Sequence, residues 1–348
     1  MLVAEPVRVG VAGLGRSGWS NHAQFLSRNP RYALLAVADP LAERRAEAEQ
    51  TMGCSAYADP AELMADERLE LVVVCTPSHT HAQLAVQALH AGRNVLVEKP
   101  MATSLAEAEA MIQAAEAAGR VLTVFQNRRW DPDFLRVKQI LDQNVLGPVH
   151  LIRMGRYGYQ RRHDWQTLRR LGGGLLNNWG AHVLDQALLL LGGSYRELFA
   201  DLQRTAGAGD AEDHVKVVLR GENGTVVDVE ITSGCVYPQP EWLVLGRYGS
   251  LMGNTRHLEW KYYDPAAAPT LVVDEGAAPG RSYGAPEQLP WQQASEDIPG
   301  INTTSAYYDR LYATLREGQP VAVTPQSVRD QIAMFDDIRR HSGFTGRP

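Results

Sequence analysis

The chain of 348 residues predicts a two-domain α/β protein, with a dinucleotide-binding (Rossmann) domain followed by an α+β domain that has a large, mostly antiparallel open sheet. Three observations predict this architecture: a glycine-rich loop directly after the first apolar strand, alternation of short β-branched runs with alanine-rich helical stretches, and period-two strands later in the chain. At roughly 150 residues per domain, the length suits two cores. We place the domains at 1–127 and 128–348.

In the first domain the predicted strands lie at 7–12, 33–38, 71–75, 95–97 and 121–125. The third of these is wholly apolar, as expected for a parallel strand that is buried on both faces. Helices are predicted at about 18–28, 41–52, 79–91 and 104–119. The last of them begins with Ser104 and Glu107 in a capping-box pattern and ends at Gly119.

The second domain is predicted to contain strands at 149–154, 215–219, 225–232 and 243–245, and helices at about 175–191, 304–317 and 325–341. We expect the last helix to pack back on the first domain. The stretch 264–299 is rich in Pro, Gly and Ala and is predicted to be a long surface excursion. Val227, Val229 and Ile231 are predicted to line an open apolar face of the sheet, which would be buried in a homodimer or homotetramer.

Composition narrows the functional classes. The net charge of −6 and the pI near 5.9 argue against a duplex nucleic-acid binder and leave small metabolites as the expected partners. No segment approaches 18 uninterrupted apolar residues and the N-terminus has no charged leader, so we expect a cytoplasmic protein without a membrane span. Cys54, Cys75 and Cys235 lie far apart and are expected to be free thiols.

The first functional signal is the sequence Gly13-Leu14-Gly15-Arg16-Ser17-Gly18, which fits the dinucleotide-binding pattern and lies between a strand and a helix. Glycines there allow close approach to a pyrophosphate at a helix N-terminus. Asp39 ends the second strand 39 − 18 = 21 residues later, near the spacing of about 20 expected for the ribose-binding acid. A carboxylate at this point favours NAD over NADP, whereas Arg16 and Arg44 are alternative ligands for a 2′-phosphate.

The second signal is Glu98-Lys99-Pro100, which closes an apolar run in the same domain. Lys99 is a candidate general acid or base, because desolvation and nearby charge bring the pKa of a lysine toward neutrality. A surface lysine at a strand end is the plain alternative.

Several motifs together resemble the glucose–fructose oxidoreductase, inositol dehydrogenase and rhizopine-catabolism (Gfo/Idh/MocA) family. They are the glycine loop, the run 75–81, the run 91–100, the boundary segment 125–129, the segment 172–185 and the ending 324–327. The resemblance implies that Lys99 reaches both the nicotinamide ribose and the substrate. It also implies that the dinucleotide is bound by Gly13, Leu14, Gly15, Arg16, Ser17, Asp39, Thr76, Pro77, Ser78, His81, Glu98 and Lys99. His79 and His81 have no nearby ligand partners in sequence, so we expect no metal.

The segment 172–185 carries the second catalytic candidate. Asn178, His182 and Asp185 fall near one helical face, behind three glycines that permit close approach to a ligand. The resemblance implies that His182 takes the hydroxyl proton as a secondary alcohol is oxidised. Relatives usually carry Asp where this chain has Asn178, and Asn supplies no charge to stabilise an imidazolium. We therefore expect weaker proton uptake by His182 and a larger share of proton transfer for Lys99.

Two further residues are candidate substrate contacts. Trp165 suits stacking on a sugar or cyclitol ring, with a place in the core as its alternative, and Arg129 suits a hydroxyl or carboxylate, with an interdomain ion pair as its alternative. The expected activity is NAD(P)-dependent interconversion of a secondary alcohol and a ketone on a sugar, sugar derivative or cyclitol. An NAD-retaining glycosidase or lyase and a non-catalytic cofactor-binding protein are the alternatives.

Overall fold

The structure, a computed structural model, describes residues 5–273, 275–276 and 287–346. It contains a six-stranded parallel sheet of order β3-β2-β1-β4-β5-β6 and an eight-stranded sheet of order β14-β13-β12-β11-β7-β10-β9-β8. The predicted fold class is therefore confirmed.

The first sheet reverses its strand order between β1 and β4, which leaves a crevice at the carboxyl ends of these strands. The strands are β1 Val7–Ala12, β2 Tyr32–Ala38, β3 Ser55–Tyr57, β4 Leu71–Val74, β5 Asn94–Val97 and β6 Leu122–Val124. β4 is fully buried, as its unbroken apolar run predicts. Functional residues that follow these strands are brought to one edge of the sheet.

Helices cover both faces of this sheet. They are α1 Gln24–Arg28, which continues the π-helical segment Gly18–Ala23, and α2 Ala42–Met52, α3 Pro60–Ala65, α4 His81–His90 and α5 Leu105–Ala118. The sequence analysis missed β3 and α3, although Asp59 before Pro60 is a typical helix start. In the predicted capping box, Ser104 Oγ accepts from the Glu107 N–H at 3.3 Å, but the Glu107 carboxylate accepts from the Thr103 N–H at 2.8 Å rather than from Ser104.

The second sheet is antiparallel except for β7 and β10, which pair in parallel. Its strands are β7 Val149–Tyr157, β8 Glu197–Gln203, β9 His214–Arg220, β10 Val226–Thr232, β11 Trp242–Gly246, β12 Gly249–Gly253, β13 His257–Tyr262 and β14 Gln292–Asp297. The prediction that 264–299 is only a surface excursion is wrong, because β14 pairs along the whole of β13. Residues 274 and 277–286 of that stretch lie outside the described residues.

Four helices complete the second part of the chain. They are α6 Pro132–Asp142, α7 Ala181–Leu190, which follows the π-helical segment Leu176–Gly180, α8 Thr303–Glu317 and α9 Pro325–Ser342. α9 lies against α5, where Arg329 pairs with Glu109 at 2.7 Å and Asp336 accepts the Leu105 N–H. These contacts hold α9 against the helices that cover the first sheet.

The predicted open apolar face is corrected by the structure. Val227, Val229 and Ile231 are buried within the chain itself, between the sheet and α7. The opposite face of β10 is charged: Lys216 of β9 pairs with Asp228 and Glu230. These three apolar side chains therefore give no reason for association, and the homodimer or homotetramer stays a prediction, to be tested by light scattering.

Candidate active site

The glycine loop after β1 has the backbone that a dinucleotide needs. Gly13 has φ +94°, and a side chain there would lie 2.7 Å from Cys75 O. At Gly18 a Cβ would lie 1.8 Å from Gly13 O, so this glycine is required for close packing of the helix on the loop. At Gly15 a Cβ would meet nothing within 4 Å, so the loop presents open space at a helix N-terminus. This cradle fits a pyrophosphate.

Asp39, at the end of β2, braces the same loop. Its Oδ2 accepts from the Leu14 N–H at 2.8 Å, and its Oδ1 accepts from the Leu41 N–H at 3.0 Å. Arg44 pairs with the same carboxylate at 3.3 Å. Oδ2 thus accepts from two donors, whereas Oδ1 has a further lone pair, so Asp39 retains acceptor capacity for a ribose hydroxyl. Arg44, a sequence candidate for phosphate binding, is instead engaged with the carboxylate.

A buried network joins the glycine loop to the strand that carries the lysine. Ser17 donates to Glu98 at 2.6 Å, and His22, itself bonded to the Tyr308 hydroxyl at 2.7 Å, lies 3.2 Å from the same carboxylate. Burial alone would raise the pKa of Glu98, but the hydrogen bonds from His22 and Ser17 and the charge of Lys99 hold that pKa at about 2. Glu98 is therefore a fixed anion, whose other oxygen accepts the Lys99 backbone N–H at 3.0 Å.

The turn after β4 supplies the other predicted cofactor residues, Thr76, Pro77, Ser78 and His81. The Thr76 and Thr80 hydroxyls share a hydrogen bond of 2.6 Å. The buried His81 ring lies between two carbonyl oxygens, Thr76 O at 2.9 Å and Pro100 O at 2.8 Å. This histidine thus ties the β4 turn to the residue that follows Lys99, and both of its ring nitrogens are occupied within the protein.

Lys99 lies where the two sheets' domains meet. Its Nζ contacts two oxygens of Asn178, the carbonyl O at 3.2 Å and Oδ1 at 3.0 Å, and both are neutral. Burial lowers the pKa of Lys99 to about 8, since the opposing charge of Glu98 is offset by Arg128, Arg16 and Arg162. A lysine with this pKa exchanges its proton near neutral pH.

His182, in the first turn of α7, is 9% exposed, and its Nδ1 has no hydrogen-bond partner within the described residues. Burial, followed by the positive charges of Lys99, Arg128 and Arg156, lowers the pKa of His182 well below its ordinary value. The ring is therefore neutral at pH 7, because of burial and nearby cations. The weaker proton uptake that the sequence analysis expected from Asn178 stays a prediction.

Asn178 faces the lysine rather than the histidine. Besides its two contacts with Lys99, it donates from Nδ2 to Gln166 Oε1 at 3.0 Å, and no hydrogen bond joins it to His182 in the described structure. The side chain at position 178 therefore contacts Lys99 and not His182.

Arg129 and Asp185 bind each other. Arg129 donates to both carboxylate oxygens, at 2.8 and 2.6 Å, and also to Ser327 Oγ of α9 at 3.1 Å. Both side chains are almost fully buried. Of the two roles considered for Arg129, a substrate contact and an ion pair, the structure shows the ion pair, with Asp185 as the partner.

A cavity of about 580 Å³ opens beside this centre. Its lining includes Arg128, Arg156, Arg162 and Trp179, and Arg128 and Arg156 stack over the indole at 4.7 and 5.8 Å. Lys99 and His182 do not line the cavity, but Trp179 does, and its ring lies 6.1 Å from the His182 ring. The neighbouring Asn178 contacts Lys99, so Asn178 and Trp179 connect the cavity to the lysine and the histidine. Trp165, the predicted stacking residue, lies outside this lining.

The sequence analysis assigned no role to Arg128, Arg156, Arg162 or Trp179. Arg128 and Arg129 are adjacent in a 3₁₀ turn, Asn127–Trp130, where successive side chains point about 120° apart, so one faces the cavity and the other Asp185. Arg156 carried a usable signal, because it lies on the core-facing side of β7, with Ile152 and Met154. A charge on a buried face indicates a functional residue.

Among the described residues, no group of three or more His, Cys, Asp or Glu side chains is arranged to hold a metal ion. Within the same residues, no helix is both long and apolar enough to span a bilayer.

The fold and the cradle define an NAD-binding oxidoreductase. Residues 7–126 match the family model described as an oxidoreductase family with an NAD-binding Rossmann fold, and residues 134–252 match the GFO/IDH/MocA C-terminal domain. The chain belongs to the GFO/IDH/MocA family, as its motifs suggested.

Similar proteins support this assignment. The chain is 31% identical to a myo-inositol 2-dehydrogenase of Thermotoga maritima, over 71% of this chain and 75% of that one. It is 30% identical to 1-carboxy-3-chloro-3,4-dihydroxycyclohexa-1,5-diene dehydrogenase of Comamonas testosteroni, over 77% and 66% of the two chains. An NAD-binding protein of Listeria innocua has the same fold, with a TM-score of 0.82 at 24% identity over 97% of this chain and 95% of that one.

Proposed function

We propose that this NAD-binding oxidoreductase oxidises a secondary alcohol to a ketone on a sugar, sugar derivative or cyclitol, with Lys99 as the proton-transfer group. The observation that carries the proposal is the lysine itself: it is partly buried at the junction of the cofactor crevice and the cavity, where its Nζ contacts Asn178, and its pKa is about 8. At pH 7 such a lysine is neutral in roughly a tenth of molecules, about 300-fold more than at its ordinary pKa of 10.5.

NAD bound in the cradle supplies a hydride acceptor. The protein's own residues account for the rest of the reaction. Neutral Lys99 takes the hydroxyl proton onto Nζ, and Asn178 holds that nitrogen through two oxygens. To His182, which is neutral and whose Nδ1 has no partner among the described residues, we assign a hydrogen bond to the same hydroxyl. We assign no substrate contact to Arg129 and Asp185, because each is already bonded to the other.

The names of relatives support the substrate class. The Thermotoga relative is named for a neutral ring polyol and the Comamonas relative for a ring diol that carries a carboxyl group. We extend to this chain only what these substrates share, a ring with secondary hydroxyls. The NAD-retaining lyase and the non-catalytic alternatives have no specific observation in their favour.

The test is a screen of sugars and inositols, with their keto forms, against NAD and NADP, followed by absorbance at the NADH band. The proposal predicts stoichiometric NADH and ketone from at least one ring alcohol, and a preference for NAD. Product formation without net NADH would instead establish the lyase alternative. If no compound turned over while NAD still bound, the enzyme proposal itself would be refuted.

A further inference from the structure

One buried charged group in the cavity, Arg156, has only a distant counter-ion and no hydrogen-bonded one among the described residues. The Arg156 side chain is 11% exposed, and its only hydrogen bond in the described structure runs from Nη1 to Gly155 O at 2.8 Å. Its nearest carboxylate, Glu241, is 3.8 Å away, which is beyond hydrogen-bonding distance. A guanidinium has five N–H donors, so most of those on Arg156 are unused. A buried cation is normally paired with an anion.

The neighbouring arginines differ from Arg156 in this respect. Arg128 pairs with Asp131 at 2.9 Å, and Arg162 pairs with Asp164 at 2.7 Å. Both are also more exposed than Arg156. Because Arg128 and Arg156 both stack on Trp179, the indole holds the two guanidinium groups at fixed positions in the wall of the cavity.

Positive charge continues from the cavity to the catalytic lysine. Within the described part of the chain, the Lys99 ammonium is hydrogen-bonded only to neutral oxygens of Asn178. Glu98, the nearest acid in sequence, directs its carboxylate to Ser17, His22 and the Lys99 backbone. The low pKa of His182 reports the same excess, since Lys99, Arg128 and Arg156 are its charged contributors. The cavity lining also holds the acids Asp131, Asp133 and Glu241. Asp131 pairs with Arg128 and Asp133 accepts from the Trp242 indole, so in the described structure neither forms a hydrogen bond to Arg156.

We propose that the enzyme acts on a sugar or cyclitol bearing a carboxylate, which the unused donors of Arg156 bind from the cavity wall. The reacting hydroxyl then lies on the side of the ring toward Lys99. The planar guanidinium fork matches the two oxygens of a carboxylate, and the 580 Å³ cavity is within the usual range for a small ligand. This inference rests on the proposed function and specifies its substrate class.

The test compares matched acid and neutral sugars, galacturonate with galactose and glucuronate with glucose, by their kcat/KM with NAD. Charge-assisted hydrogen bonds predict that the acid of each pair is preferred by about 10- to 100-fold. Arg156→Gln, which keeps hydrogen-bonding capacity but removes the charge, should bring the acid-to-neutral ratio toward one. Binding of galacturonate to the NADH-loaded enzyme, measured by titration calorimetry, should weaken in parallel.

Arg153→Gln is the matched control. Arg153 lies on the same strand but on the opposite sheet face, where it pairs with Asp228 at 3.4 Å, so the variant removes an equal charge outside the cavity. It should leave the acid-to-neutral ratio unchanged.

The outcomes separate the inference from the proposed function. NADH formation from neutral sugars with no preference for the acid, or a preference that Arg156→Gln leaves intact, would overturn the inference alone. If no ring alcohol of the full sugar and inositol screen yields NADH while galacturonate still binds through Arg156, the proposed oxidation is refuted and the anion site stands.

Discussion

Replacing Asn178 with Asp tests how the site sets the pKa of its lysine. Asn178 Oδ1 lies 3.0 Å from Lys99 Nζ, so Asn178→Asp places a carboxylate at hydrogen-bonding distance from the ammonium. An opposite charge at this range raises a lysine pKa by about 1–3 units. Starting from a pKa of about 8, the lysine of the variant titrates at about 9–11.

The sign of the effect on rate follows from the role of neutral Lys99 as a base. In the unaltered enzyme, alcohol oxidation should rise with pH through about 8. In Asn178→Asp this rising limb of the pH–rate profile should shift to higher pH by about 1–3 units, and the rate at pH 7 should fall about 10- to 1,000-fold. The measurement is kcat/KM for oxidation between pH 6 and about 10.5, with protein integrity checked at each pH.

Asn177→Asp is the control for this experiment. Asn177 neighbours Asn178, but its Oδ1 accepts from Arg339 Nη2 at 2.7 Å, so the same charge is directed away from the lysine. This variant should move the limb much less. If the pH at which the rate rises were unchanged or lower in Asn178→Asp, the claim that residue 178 affects the pKa of Lys99 would be refuted.

Two further predictions concern residues outside the lysine. Asp39→Asn should reduce the preference for NAD over NADP by at least about tenfold, because the charge that repels a 2′-phosphate is lost, and an unchanged ratio of the two dissociation constants would contradict this. Arg129→Met should lower the free energy of unfolding in urea by about 3–5 kcal/mol, since Asp185 is left buried without its partner. The less buried Arg128 is the control, and an equal loss in Arg128→Met would contradict the buried-pair explanation.

The fold of the first domain could be read from the sequence because local signals and tertiary packing agree there. β1, β4 and α5 begin and end within a residue or two of their predicted limits, marked by apolar runs and by Gly119 at φ +61°. β14 could not be read in this way. Its sequence, Gln292–Asp297, is polar and mostly exposed, and it becomes a strand only because β13 offers a free edge.

The site residues fall into the same two groups, those with a local sequence signal and those without one. Residues with a motif, such as Gly13 and Lys99, were found because their chemistry depends on local backbone and sequence spacing. The roles of Arg128 and Arg156 depend on which way each side chain points across the junction, which no local pattern specifies. Asn178 shows both aspects: its departure from the family pattern was visible in sequence, but its bond to Lys99 instead of His182 was not.

The most direct test of the account is the turnover of Lys99→Ala with NAD and whichever ring alcohol the screen identifies, beside His182→Ala. General acid–base groups contribute about 10²–10⁴-fold, so Lys99→Ala should lose at least about 100-fold in turnover. NAD affinity should stay within about tenfold, and small primary amines added to the solution should restore part of the rate. His182→Ala should lose less, because its ring is already a weak base. A Lys99→Ala enzyme that turns over within about threefold of the unaltered protein would contradict the central claim that this lysine carries the proton.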